Sequence, residues 1–91
     1  MNSVHIFDFI DQFVNDFYTC RIKNGLNKLD RIIPTVIDMM NVYMHSNPNS
    51  EIIFTVNQIL LSIEDSLKNC DYVLTADLFQ NELLPCIKEM I

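Results

Sequence analysis

Apolar residues recur every three or four positions along most of this chain, and the recurrence stops only at a few clusters of polar turn formers. Ile6, Ile10, Phe13 and Phe17 set a helical period; with Ser3 as N-cap and Asn24-Gly25 as stop, they predict a first helix over about 4–23. Projected at about 100° per residue, its apolar positions, Phe7 and Phe9 through Tyr18, cover about half the circumference, enough to meet two neighbours. The opposite arc holds His5, Asp8, Asp11, Gln12, Asn15 and Asp16 and reads as a solvated face.

A second helix is predicted from Leu26 to about His45 on the spacing of Leu29, Ile33, Val36, Met40 and Tyr43. Pro34 lies inside it. Proline lacks a backbone donor and strands the carbonyl four residues back, here that of Asp30, at ~3 kcal/mol, so a kink is expected there. Ser46-Asn47-Pro48-Asn49-Ser50 is the clearest loop. A third helix follows, with Ser50 as N-cap, Glu51 at the positive end of the dipole, and a stripe of Ile52, Val56, Ile59, Ile63 and Leu67. Glu64 is placed to pair with Lys68. Asp71 is the expected N-cap of a fourth helix, in which Tyr72, Ala76, Phe79, Leu83, Ile87 and Met90 recur. Pro85 should bend that helix and free the carbonyl of Asn81.

Four amphipathic segments joined by short connections predict an all-α fold, an antiparallel up-down four-helix bundle. The alternative is a three-helix bundle with a detached or swapped first helix. At 91 residues the chain is one domain, 1–91, and one glycine with three prolines are too few turn residues for a small β-sandwich or barrel.

Charge and chemistry narrow the function. Twelve acids against six bases give a net charge of −6, a field that repels nucleic-acid phosphates and anionic lipid, so neither nucleic acid nor membrane is expected as a partner. Cys20, Cys70 and Cys86 form no close pair and no C-x-x-C half-site; they are read as small hydrophobes of a reduced protein. The start of the chain lacks the basic region of a signal peptide, and its apolar runs are far shorter than the ~18–20 residues of a spanning helix, so a cytoplasmic location is expected.

Named catalytic constellations are missing. A di-metal bundle needs Glu-x-x-His on facing helices, but Asn2 and Val42 stand three before His5 and His45. Glycine-dependent phosphate loops and nucleophile elbows have only Gly25 to use. Asp77 and Glu82 are about 140° apart on one helix and cannot share a ligand from that helix alone. A thiol–imidazole pair would require Cys20 to meet His45 in space. No cofactor and no metal is therefore expected.

Helices 3 and 4 carry more apolar positions than one stripe requires. Phe54 and Leu61 are seven apart and point about 150° from the centre of the main stripe; Leu74 and Leu78 face away from Tyr72, Ala76 and Leu83. A helix with two apolar sides calls for two partners.

The run Asp71-Tyr72-Val73-Leu74-Thr75-Ala76-Asp77-Leu78, followed by Glu82-Leu83-Leu84-Pro85, resembles the C-terminal segment of a family of small uncharacterised helical domains of Firmicute bacteria. The chain departs from that family's pattern at Thr75, Gln80 and Asn81. The resemblance implies a bacterial, intracellular helical bundle with the proline of its last segment inside a helix, and brings no catalytic residue. The expected function is a non-enzymatic protein-interaction or chaperone-like module, binding a protein partner or a second copy through Phe54, Leu61, Leu74 and Leu78. The alternative is an acidic inhibitor or antitoxin-like protein that masks a basic partner through Asp8, Asp11 and Asp16.

Overall fold

The computed structural model describes residues 3–91 and builds them from helices joined by short turns. Helix α1 spans Ser3–Tyr18, α2 Ile22–Ser46 and α3 Glu51–Lys68; the fourth helix is α4, Tyr72–Leu78, a π-helical turn, Phe79–Leu83, and α5, Leu84–Met90. The all-α bundle is as expected, and α1 is an integral member, packed along α2 and against α4. Because α1 begins at Ser3, the cap at its start lies outside the described residues.

The first connection falls earlier than the glycine suggests. The chain leaves α1 at Tyr18 and turns through Cys20, whose φ is 62°. The Cys20 amide donates to the Phe17 carbonyl (3.2 Å) and the Arg21 amide to the Asp16 carbonyl (2.7 Å), the paired bonds of a Schellman cap. The third connection repeats the device. Cys70 has φ 55°, its amide donates to Leu67 (3.0 Å), and that of Asp71 donates to Ser66 (2.8 Å). Both left-handed positions, usually glycine or asparagine, are cysteine here.

Gly25 instead lies inside α2 and is buried. A Cβ there would fall within the van der Waals envelope of Cδ1 and Cε1 of Phe17, so glycine is required for close approach of the α1 ring to the α2 backbone. Phe17 is 1% exposed and joins a chain of rings: its centroid is 4.5 Å from Phe13 and 5.1 Å from Tyr72, and Phe13 lies 4.7 Å from Phe79. These contacts carry the core from α1 into the fourth helix. Asp16, expected in solvent, is 5% exposed and pairs with Lys28 of α2. That ion pair and the Phe17–Gly25 contact fix the register of α1 on α2.

Helix α2 continues through Pro34, which faces solvent. Ser50 caps α3, accepting from the Ile52 amide (3.3 Å), and Asp71 caps α4, accepting from Leu74 (3.2 Å). Glu64 and Lys68 pair at 3.2 Å on the exposed face. Between α3 and α4 the buried hydroxyls of Ser66 and Thr75 lie 2.6 Å apart, and they also reach the carbonyls of Ile63 and Asp71. Pro85 does not break the fourth helix. The π-turn adds one residue ahead of it, the Leu84 amide donates to the Phe79 carbonyl, and Pro85 follows at the start of α5 within a continuous helix. The extra residue also lets the adjacent Leu83 and Leu84 both be buried.

Two outcomes test these local readings. Gly25→Ala, which raises helix propensity, should nevertheless destabilise the protein by about 1–3 kcal/mol in urea denaturation because the methyl overpacks Phe17. Cys20→Gly and Cys70→Gly should each stabilise it, by up to about 1 kcal/mol, because a left-handed backbone penalises a Cβ.

Candidate interaction surface

On α3 the side chains sort into rows. Val56, Ile59, Ile63 and Ser66 are buried against the core. Ile53, Leu60 and Leu67 are half-buried along the edge that faces α2. Phe54 and Leu61 occupy the outer crest, 68% and 57% exposed, as their spacing predicts. On the helical projection Asn57, Glu64 and Lys68 separate the crest from the α2 edge, and Gln58, Ser62 and Asp65 separate it from α4.

The fourth helix splits the other two expected residues. Leu74 is 43% exposed, but Leu78 is half-buried and packs against the core, so it is covered by its own chain. Thr75, three residues earlier on α4, is buried and hydrogen-bonded to Ser66 of α3, so this side of α4 faces α3. Phe54, Leu61, Leu74 and Leu78 therefore do not form one exposed strip.

A second apolar surface, with a weaker sequence signal, lies across the polar row of Asn57, Glu64 and Lys68 from the crest. Helices α2 and α3 are consecutive, yet their backbones do not run close together, and the seam between them is open. Leu26, Ile37 and Met44 are 39–44% exposed on the α3 side of α2. Near the Schellman end, Leu26, Leu29, Ile33, Pro34 and Leu67, with Asn27 and Asp30 at the polar side, line a hollow of about 520 Å³. Leu26, Ile33, Ile37 and Met44 share one flank of α2 at helical spacing, a signal in the sequence that the main stripe through Leu29, Val36 and Met40 obscures.

The polar residues do not assemble a reactive centre. Among the described residues no group of three or more His, Cys, Asp or Glu is placed to hold a metal. Cys20 precedes α2 and His45 is in its last turn, so this 25-residue helix, about 37 Å long, holds them apart. Cys20 and Cys70 are exposed at their turns, contrary to the expectation of three buried thiols, because a C′ residue projects from the helix end. Cys86 is half-buried, and desolvation, reinforced by Glu89 and Glu82, pushes its thiol above the usual range and away from the thiolate. Tyr18 donates to Asp77 and lies 3.3 Å from Gln80 Oε1; this hydrogen bond raises its pKa and ties α1 to the fourth helix. Tyr72 is raised in the same direction by its hydrogen bond with Cys70. Among the described residues no helix is long and apolar enough to cross a membrane.

No curated protein and no solved structure shows significant similarity to the chain. Residues 8–91, all but the start of α1, match the family model described as Domain of unknown function (DUF8042), and the chain belongs to that family.

Proposed function

We propose that this bundle is a non-enzymatic protein-interaction module of chaperone-like type, which binds a protein partner or a second copy along α3. The observation that carries this reading is the crest of α3, where a phenylalanine and a leucine two turns apart stand in solvent, 68% and 57% exposed. Single exposed apolar residues are ordinary, but a pair aligned along one line of a helix offers two anchors for a partner's apolar side chains. Leu74 is exposed separately on α4, and Leu78 is half-buried against the core.

Acidic masking of a basic partner is the weaker reading, since Asp16 is buried with Lys28 and only Asp8 and Asp11 of its three residues face solvent. The free thiols support a reducing, cytoplasmic setting, and the resemblance of segment 71–85 supports a bacterial one.

Light scattering and binding of an apolar dye on the wild type and on Phe54→Asp/Leu61→Asp test the proposal. The wild type should either self-associate or bind the dye, and the double variant should lose that property while keeping its helical circular dichroism. A wild type that stays monomeric at high concentration and binds no dye contradicts it. Partner binding through this face should show a negative heat-capacity change and little salt dependence, whereas acidic masking should weaken steeply as salt rises.

A further inference from the structure

The far end of α2 carries a second groove of different chemistry. The Asp16–Lys28 and Phe17–Gly25 contacts set the antiparallel register of α1, so that Ser3 falls about level with Met40 at 1.5 Å per residue. Helix α5 packs against α2 near this level. Between them is an open groove of about 560 Å³ whose lining includes Asp38, Met39, Val42, Tyr43, Glu89 and Met90.

Three features of this groove point to its occupant. Its floor is adaptable and apolar, with half-buried Met39 and Met90 and with Val42 at 71% exposure. Its charged lining residues are the carboxylates Asp38 and Glu89, and no lysine or arginine is among the lining residues. Both carboxylates are solvent-exposed, and neither is in an ion pair among the described residues. A second copy is a poor match, since it would bring its own net charge of −6.

We infer that this groove binds a short amphipathic segment of a partner protein, its aliphatic side chains on Met39, Val42 and Met90 and its lysine or arginine side chains on Asp38 and Glu89. The site is distinct from the α3 crest and stands or falls independently of it.

The test uses the whole chain and a fluorescent leucine/lysine peptide patterned as an amphipathic helix, with a leucine/glutamate peptide of the same pattern as control. Amide shifts should concentrate at 38–43 and 89–91. Asp38→Lys/Glu89→Lys should weaken binding about tenfold or more, while Asp8→Lys/Asp11→Lys, which changes net charge equally, should leave it within about twofold. Equal losses in the two variants would reduce the effect to net charge and overturn the inference. So would equal binding of the glutamate peptide, shifts centred on Phe54 and Leu61, or concentration-dependent shifts of the groove without peptide. Because Phe54→Asp/Leu61→Asp leaves this groove intact, that variant should still bind the lysine peptide, which separates failure of this site from failure of the α3 reading.

Discussion

The packing of Phe17 against the bare backbone of Gly25 is the constraint on which the rest of the arrangement depends. It draws α1 onto α2 more closely than a side chain at residue 25 would allow. The same ring meets Tyr72 and, through Phe13, leads to Phe79, so one residue of α1 joins α2 to the fourth helix. The Asp16–Lys28 pair one residue away locks the approach in register, at a place where burial makes a mismatched charge costly.

Both candidate surfaces follow from that choice of neighbours. With α1 as the centre, α2 and α3 each pack on other helices and not fully on one another, and the seam between them stays open. Helix α3 is held from its α4 side by Ser66 and Thr75, which leaves Phe54 and Leu61 on the outermost line. The acidic groove lies where α5 packs on the last turns of α2. Neither surface requires an irregular loop; both result from helices of unequal length and width packed around a common aromatic ridge.

Much of the fold was legible because its signals are local. Period, the caps Ser50 and Asp71 and the Glu64–Lys68 pair depend on residues within a turn or two, and the structure repeats them. Gly25 was misleading because a glycine after asparagine is an ordinary helix stop, whereas its actual role depends on Phe17, a contact that local pattern cannot show. Cys20 gave no stop signal, since cysteine seldom takes a left-handed backbone. Asp16 resembled its acidic neighbours until Lys28 was brought beside it. Pro85 announced a disturbance, but the π-turn that absorbs it depends on the need to bury both Leu83 and Leu84. Phe54 and Leu61 were readable from spacing alone, and Leu78 was not, because its cover comes from tertiary packing against the core.

Phe54 and Leu61 of α3 stand in solvent in the isolated chain. Methyl and aromatic relaxation by a soluble paramagnetic agent, recorded on dilute monomer, measures this most directly. Phe54 ring and Leu61 methyl signals should relax strongly, Leu60 and Leu67 to an intermediate degree, and Val56 and Ile63 hardly at all. Leu61 methyls as protected as those of Ile63 would contradict the account.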